Sequence, residues 1–214
     1  MIDEMPAETL THGDCITRDI VPPAPDGWVG DAAGRRCLAR GRLIHEAGER
    51  GIAWRVSLGA ARLDRNSEDG PQFGGLALAG DVIGAEVLLF GTYTFTARAL
   101  SPVVLEPWST QKEYASSHAL LQALATSENR VADALALRSG TPDRRISRLL
   151  GLIGRGLGHG QRMVRVALPQ LRDIAEMTDL TVETVSRTIS RLTSSGALEV
   201  SGRYRSRAVW VSTE

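Results

Sequence analysis

The sequence predicts an α+β protein, in which a small β-barrel or jelly roll is followed by a long helix and a winged helix-turn-helix. Two observations predict this fold class. Glycines divide residues 35–108 into short segments that alternate as half-buried strands do. Residues 109–138 and 169–192 instead hold apolar residues at helical spacings of three and four. Runs of strands followed by runs of helices are typical of α+β chains or of separate domains.

The charge of the chain is divided unevenly, although the formal net charge is zero. Residues 1–138 contain 18 Asp and Glu against 13 Lys and Arg, a net charge of −5. Residues 139–214 contain 12 Arg against 7 Asp and Glu, a net charge of +5. A basic segment favours a polyanionic partner, so we expect nucleic acid to bind to the C-terminal third.

Residues 1–34 are rich in Pro, Asp and Ala, and they lack the basic segment and apolar stretch of a secretory signal. We therefore expect a loosely ordered leader and a cytoplasmic protein. No apolar run approaches the roughly 20 residues needed to span a bilayer, so no membrane partner is expected. The two cysteines, Cys15 and Cys37, are too few for a disulfide framework or a four-thiolate cluster.

Residues 35–108 are expected to form the barrel. Arg40–His45 and Ala53–Leu58 alternate as half-buried strands do, and Thr92–Leu100 is rich in β-branched and aromatic residues. Turns at short intervals are predicted by Gly48, Gly51, Gly59, Gly70, Gly74, Gly75, Gly80, Gly84 and Gly91. Short strands with glycine-rich turns are typical of a small barrel or jelly roll.

Residues 109–139 are expected to form a long helix. Alternating spacings of three and four separate Leu121, Leu124, Glu128, Val131, Leu135 and Arg138. A heptad-like stripe with charges at two of its places is typical of a helix that pairs with a second copy, so we expect a homodimer. The alternative is that the stripe packs on the barrel of its own chain.

A hinge is predicted where Ser139–Pro142 brings a Gly and then a Pro after the helix. Asp143–Ile153 has the pattern of another helix, and Gly151–Gly160 is expected to be a glycine-rich linker. This glycine run follows a helical segment rather than a strand, and it lacks the Gly-Lys-Ser/Thr ending of a phosphate-binding loop.

Residues 140–214 are expected to form the winged helix-turn-helix domain. Its first helix is predicted over Pro169–Met177, and Thr178–Leu180 is the turn, with Leu180 reaching into the core. The inward-facing residues of the first helix are Leu171, Ile174 and Ala175. A hairpin of Leu198–Ser201 and Arg207–Val211 forms the wing. Arg203, Arg205 and Arg207 at its tip could lie along a phosphate backbone.

The second helix begins at Thr181, whose hydroxyl can accept a hydrogen bond from a free amide of the first turn, and it ends before Gly196. The positions expected to face the core are Val182, Val185, Ile189 and Leu192. The outward positions are Glu183, Ser186, Arg187 and Ser190. An acceptor, a guanidinium fork and small hydroxyls on one face are groups that can read base edges in a DNA major groove.

Leu168–Tyr204 resembles the C-terminal domain of the Crp/Fnr superfamily of bacterial regulators, and Leu180-Thr-Val-Glu-Thr-Val-Ser-Arg187 is closest to the Fnr/FixK branch. The upstream glycines that resemble the family's cyclic-nucleotide-binding-like barrel are those of Gly41–Gly48, Gly59 and Gly80–Gly84, with Glu86. The long helix resembles the family's dimerisation helix. The resemblance implies a homodimeric, sequence-specific transcription regulator, an activator that works with RNA polymerase and is not an enzyme.

The resemblance also implies roles for single residues. Glu183 would accept from a cytosine amine, Arg187 would bond a guanine bidentately, and Ser186 would lie near a thymine. The expected phosphate contacts are Thr181, Thr184, Ser190, Arg203 and Arg205. Val182 stands where cyclic-AMP receptors carry an extra arginine, which fits an Fnr-like TTGA-N6-TCAA inverted repeat in double-stranded DNA.

The effector stays open, and no cofactor is expected. Tyr93-Thr94 occupies the place of the family's Arg-Ser pair, and Tyr93 cannot neutralise a cyclic phosphate as a guanidinium does. An iron–sulfur cluster of the Fnr kind needs four cysteines. No spaced pair suited to haem or metal is formed by His12, His45, His118 and His159. The domain could also bind no small molecule.

Three other possibilities stay open. Cys37 could be a redox switch, although a single thiol in such a segment is more often buried and inert. A jelly roll could be a cupin-type metalloenzyme with an accessory winged helix, but only His45 among the histidines lies in the barrel segment. The winged helix could also be a protein-binding module without affinity for DNA.

Overall fold

A computed structural model of the protein describes residues 29–30, 34–108, 117–158, 161–201 and 208–212. Two antiparallel sheets make up its N-terminal part. The first holds β1 (Val29–Gly30), β2 (Arg36–Leu38), β4 (Trp54–Leu58), β7 (Val82–Ile83) and β9 (Val103–Pro107), in the order β1-β2-β9-β4-β7. The second holds β3 (Leu43–His45), β5 (Ala60–Ser67), β6 (Gly70–Leu78) and β8 (Thr96–Ala99), in the order β3-β8-β5-β6. The predicted barrel is confirmed.

The barrel core lies between the two sheets, because alternate residues of the strands point inward. In β4, Trp54, Val56 and Leu58 are buried, whereas Arg55 and Ser57 between them are half-buried. Val56 and Leu105 of the first sheet share this core with Leu63 of the second. The barrel includes residues before the predicted boundary at residue 35, since β1 pairs with Arg36 and Cys37 of β2.

Two helices accompany the strands of the barrel. The short helix α1 (Val87–Phe90) lies between β7 and β8, and the long helix α2 (Ser117–Leu137) packs against β6. Arg130 of α2 donates from Nη1 to the carbonyl oxygen of Val82 at 2.9 Å, which fixes the middle of the helix to the barrel. No helix among the described residues is long and apolar enough to cross a membrane.

The chain changes direction between α2 and the next helix, α3 (Pro142–Leu157). Gly140 has a φ of +91°, a left-handed conformation that glycine adopts without strain. Thr141 caps α3 with a hydroxyl that accepts from the Arg144 N–H at 3.4 Å, and Pro142 opens the first turn.

The predicted linker over Gly151–Gly160 is wrong for its first seven residues, because α3 continues through them to Leu157. Leu149, Leu152 and Ile153 are fully buried, and this burial outweighs the cost of about 1 kcal/mol for each glycine in a helix interior. Gly156 is needed for a close approach of two backbones. The Gly59 N–H donates to its carbonyl oxygen at 2.7 Å, and a Cβ on Gly156 would overlap the Gly59 carbonyl.

This close approach predicts opposite effects for two glycine substitutions in α3. Gly156→Ala gains helix propensity but forces Gly59 and α3 apart, so we expect a net loss of about 1–2 kcal/mol in the free energy of unfolding. Gly151→Ala is the control. Its Cβ would meet no described atom within 4 Å, so this variant gains up to about 1 kcal/mol. Urea unfolding measures both, and a stabilising Gly156→Ala would contradict the assigned contact.

The C-terminal part is a helix-turn-helix with a small antiparallel sheet. Its elements are β10 (Met163–Ala167), α4 (Leu171–Thr178), α5 (Val182–Ser194), β11 (Val200–Ser201) and β12 (Ala208–Ser212), and the sheet has the order β10-β12-β11. β10 was not predicted from the sequence, although Met163–Ala167 alternates between exposed and buried residues. Fully buried residues of α3, α4 and α5, among them Ile153, Ile174 and Ile189, share one core.

Candidate nucleic-acid interface

The turn between α4 and α5 lies at the predicted place, except that Thr178 belongs to α4 and not to the turn. Asp179 ends α4 in the left-handed region with a φ of +52°, and the Leu180 N–H donates to the Ala175 carbonyl at 3.0 Å. Thr181 is extended, and its hydroxyl accepts from the Thr184 N–H at 3.2 Å. This hydrogen bond satisfies one of the free amides of the first turn and fixes where α5 begins.

One face of α5 is buried and the other is open to solvent. Val185 and Ile189 are buried against α4 and the rest of the core, together with Thr188. The exposed residues on the other face are Glu183, Ser186, Arg187 and Ser190, as predicted from the periodicity. The structure therefore brings the three predicted base-reading side chains together on the outer surface of one helix.

Val182 is not part of the core, which corrects the prediction that it faces inward. It is 41% exposed, whereas Val185, one turn further on, is fully buried. Val182 is the first residue of α5, and the buried residues of this helix begin one turn later, at Val185. Its exposure places an apolar side chain beside Glu183 and Ser186 on the outer surface.

The outer face of α5 carries an ionised carboxylate, Glu183, and a cation, Arg187. Hydrogen bonds from its own backbone N–H and from Thr181, followed by the charge of Arg187, hold the pKa of Glu183 below its ordinary value. Glu183 also lies in the first turn, where the helix dipole favours a carboxylate. Glu183 therefore presents acceptor oxygens at neutral pH, and Arg187, four residues on, presents only donors.

The residues predicted to contact phosphates differ in their exposure and in whether their hydroxyls already form hydrogen bonds within the protein. Thr181 is exposed, but its hydroxyl is engaged as the helix cap. Thr184 is half-buried, and the Ser190 hydroxyl donates to the Ser186 carbonyl at 3.0 Å, so it is free only to accept. Arg203 and Arg205, and Arg207 with them, lie outside the described residues.

The cap predicts separate effects on stability and on DNA binding. Thr181→Ala removes the acceptor for the Thr184 N–H, and we expect it to cost about 1 kcal/mol of folding stability. Thr181→Asp keeps an acceptor and adds a favourable charge at the helix start, so its stability should match that of the wild type. If position 181 lies beside a phosphate, the aspartate repels it and weakens binding to any DNA. Thermal unfolding and titrations with DNA separate the two effects.

Arg145 of α3 holds the turn in place, a role that was not predicted from the sequence. Its Nε donates to the Gly140 carbonyl at 2.9 Å, and its Nη1 donates to the carbonyls of Thr178 at 3.1 Å and Asp179 at 3.3 Å. Asp143 in the same turn of α3 pairs with Arg191 of α5. The start of α3 thus connects the hinge to the helix-turn-helix. No local sequence signal marks Arg145, because its partners in the turn are 33 and 34 residues away.

The predicted dimer stripe on α2 is exposed. Leu121, Leu124, Val131 and Leu135 are 56–66% exposed, and Glu128 is exposed as well. Leu137 at the end of the helix is fully buried, and Arg130 reaches the barrel from another side of α2. The alternative in which the stripe packs on its own barrel is therefore wrong for these residues.

Tyr93, predicted to replace the family's phosphate-binding arginine, is buried among protein groups. Its ring stacks on His45 with centroids 3.8 Å apart, and its hydroxyl accepts from the Ile52 N–H at 3.0 Å and donates to the Ile52 carbonyl at 2.8 Å. A Cβ on Gly51 or Gly84 would overlap the ring. Thr94 is held by its N–H, which donates to Glu86 at 3.1 Å.

The barrel also contains His45, considered as a metal ligand, and Cys37, considered as a redox switch. Burial lowers the pKa of His45 to about 4, and neither ring nitrogen has a hydrogen-bond partner among the described residues. The expectation of an inert free thiol is wrong, since Cys37 is disulfide-bonded. Cys15, His12 and His159 lie outside the described residues. Within those residues, no three His, Cys, Asp or Glu are grouped as ligands of a metal ion, which the cupin alternative requires.

Several solved structures share this fold over nearly their whole length. TTHB099, a CRP-family transcriptional regulator from Thermus thermophilus, is 24% identical, with 83% of this chain and 92% of that chain covered at a TM-score of 0.64. FixK2 from Bradyrhizobium japonicum is 27% identical, with 84% of this chain and 92% of that chain covered at a TM-score of 0.61. TTHA1359, a CRP/FNR-family regulator also from Thermus thermophilus, is 24% identical, with 84% and 94% covered at 0.56.

The chain therefore has the fold of the CRP/FNR-family transcription regulators. The identity to FixK2 then supports a place for this chain in the Crp/Fnr superfamily. No protein-family model matches the chain, and the comparison with curated proteins finds no match.

Proposed function

We propose that the protein is a homodimeric, sequence-specific DNA-binding transcription regulator of the Fnr/FixK-like branch. One observation carries this proposal: Glu183, Ser186 and Arg187 stand together on the exposed face of the second helix of a helix-turn-helix. Such a helix lies in the major groove, with its N-terminal residues on the base edges. The net charge of +5 on residues 139–214 favours the approach to DNA.

The proposed site is the inverted repeat TTGA-N6-TCAA. Arg187 forms a bidentate contact with a guanine, and Glu183 accepts from the amine of the cytosine paired to it or next to it. Ser186 and the exposed Val182 lie beside them, where a small hydroxyl and an apolar side chain suit thymine methyl groups. FixK2 as a structural neighbour supports this branch.

The homodimer is proposed from the exposed apolar stripe of α2. Two copies of this helix in parallel bury the stripe of each on the other, as a and d positions do in a coiled coil. A two-fold axis between them presents two recognition helices to major grooves about 34 Å apart, which matches an inverted repeat. RNA polymerase as a partner, the role of activator and a cytoplasmic location belong to the same proposal.

We also propose that the barrel does not respond to a cyclic nucleotide. Tyr93 directs its hydroxyl to the backbone of Ile52 rather than to open space, and its ring lies against Gly51 and Gly84. A ligand there would have to displace a buried, hydrogen-bonded side chain without a guanidinium to hold its phosphate. The identity of any other effector is left open.

The test is the binding of purified protein to labelled duplexes, followed by fluorescence anisotropy. The duplexes carry TTGA-N6-TCAA, the same bases with both half-sites scrambled, or a single half-site. We expect the palindrome to bind at least about 1,000-fold more tightly than the scrambled duplex at fixed salt. Equal binding to palindrome and scrambled duplex contradicts the proposed readout. No binding to any duplex at low salt favours the protein-binding alternative.

A further inference from the structure

A buried arginine of the barrel reaches across to the first helix of the helix-turn-helix. The side chain of Arg62 on β5 is only 7% exposed. Its Nε donates to Asp64 Oδ1 on the same strand at 2.7 Å. Its Nη2 pairs with Glu176 Oε2 at 2.7 Å, and its Nη1 with Asp173 Oδ1 at 3.4 Å. Because both of these acids lie on α4, one guanidinium joins the barrel to the DNA-binding domain.

Two further hydrogen bonds join the barrel to the C-terminal part. Arg40 donates from Nη1 to the Leu168 carbonyl at 2.8 Å, just before α4, and the Gly59 N–H donates to the Gly156 carbonyl at 2.7 Å. The guanidinium groups of Arg62 and Arg138 lie 5.9 and 5.8 Å from the ring centroid of Phe73 on β6. The helix-turn-helix is therefore seated on the β5–β6 side of the barrel.

The main charges of the cluster keep a partner if the two domains separate. Arg62 would still be paired with Asp64, and Glu176 would still be paired with Arg172, whose Nε lies 3.0 Å away on the same helix. Asp173 is already 36% exposed to water. A buried charge that loses its only partner is strongly destabilising, but here the separation leaves no such charge. The contact can thus release without a prohibitive cost.

Glu176 of α4 is ionised under the conditions where DNA binds. Burial raises the pKa of Glu176, but hydrogen bonds from Arg62 and Arg172 outweigh it and hold the pKa below its ordinary value. Burial raises the pKa of Asp64, although the hydrogen bond and the charge of Arg62 act against it.

We propose that Arg62, Asp173 and Glu176 form a releasable latch that sets the orientation of the DNA-binding domain on the barrel. The latch controls how the two recognition helices of a dimer are presented, and this consequence for DNA rests on the proposed function. In a dimer joined through α2, the distance between the two recognition helices depends on how each DNA-binding domain sits on its own barrel. A palindrome needs both helices in register, whereas a single half-site needs only one.

The latch is tested with Asp173→Asn combined with Glu176→Gln, which removes both charges on α4 and leaves Arg62 paired with Asp64. The control is Asp69→Asn with Glu68→Gln. It makes the same two chemical changes at the exposed tip of the β5–β6 hairpin. If the two latch-free domains of a dimer are correctly oriented at the same time about a tenth of the time, palindrome affinity falls about tenfold. Affinity for a single half-site stays within about twofold, because the recognition helix itself is unchanged. The control matches the wild type on both duplexes. Unchanged palindrome binding, or an equal loss on the half-site, overturns the proposal.

A second readout needs no DNA. The Gly59 amide is protected by its hydrogen bond across the domain contact, whereas the Val56 amide donates at 2.9 Å to Asp81 within the barrel. We expect hydrogen exchange at Gly59 to be about tenfold faster in the latch variant, with exchange at Val56 unchanged. Equal protection of Gly59 in both proteins refutes the latch. If the wild-type protein binds the palindrome no more tightly than the scrambled duplex, the proposed function is wrong. Hydrogen exchange at Gly59 still decides whether the latch exists.

Discussion

Arg187→Ala is expected to reduce the affinity for the TTGA-N6-TCAA palindrome by about 30-fold to 20,000-fold. A bidentate contact between arginine and guanine is worth about 1–3 kcal/mol, and a dimer on an inverted repeat makes two of them. Binding to a scrambled duplex should change little, because Arg187 is assigned to a base and not to a phosphate. For the same reason, the slope of log affinity against log salt concentration should remain close to that of the wild type.

Two further variants separate base reading from charge. Arg187→Lys keeps the positive charge but loses the planar fork, so we expect most of the specific affinity to be lost with it. Arg144→Ala removes an exposed arginine whose side chain makes no hydrogen bond to a described residue, and it should bind the palindrome nearly as the wild type does. Wild-type affinity in Arg187→Ala would show that this helix does not read DNA as proposed.

The features of α5 that depend on neighbouring residues could be predicted from the sequence. Thr181 caps the helix as its side-chain chemistry suggests, and Val185 and Ile189 are buried at the expected spacing. Val182 shows where periodicity alone is insufficient. It has the same helical phase as the buried residues, but it is the first residue of α5 and is 41% exposed.

The glycine-rich segment of α3 shows how tertiary packing overrides local preference. Composition predicts a flexible linker over Gly151–Gly160, because each glycine weakens a helix. The structure forms helix as far as Leu157, since Leu152 and Ile153 are buried in the core and Gly156 permits contact with the barrel backbone. Glycine can make a linker flexible, and it can also let a helix approach the barrel closely. The sequence alone does not distinguish these two uses.

The contacts that orient the domains could not be predicted, because they join residues far apart in the chain. Arg62 and Asp173 are separated by 111 positions, and Arg40 and Leu168 by 128. An arginine inside a strand of the barrel has no pattern that distinguishes a buried ion pair from a solvated side chain. The candidate reading face needed only one helix, whereas its position relative to the barrel required the whole fold.

Leu124→Glu on α2 is expected to break the homodimer without unfolding the protomer. Leu124 is 58% exposed in the single chain, so its replacement should change the stability of the folded protomer by no more than about 0.5 kcal/mol. In the dimer both copies would be buried against each other. Loss of two leucine side chains at about 1.5–3 kcal/mol each raises the dissociation constant of the dimer by at least about 100-fold. Placing carboxylates in an apolar seam adds to this loss.

The control is Asn129→Glu, which adds the same charge at another exposed position of α2. Position 129 lies roughly a third of a helical turn away from the centre of the stripe, so a coiled-coil-like dimer tolerates it. Sedimentation velocity over a range of concentrations measures the dissociation constants of both variants. On DNA, the Leu124→Glu protomer should bind the palindrome no better than a single half-site, because each protomer then binds independently. A dissociation constant equal to that of the wild type in Leu124→Glu would exclude the α2 stripe as the dimer interface. The proposed presentation of two recognition helices by this dimer would then lose its structural basis.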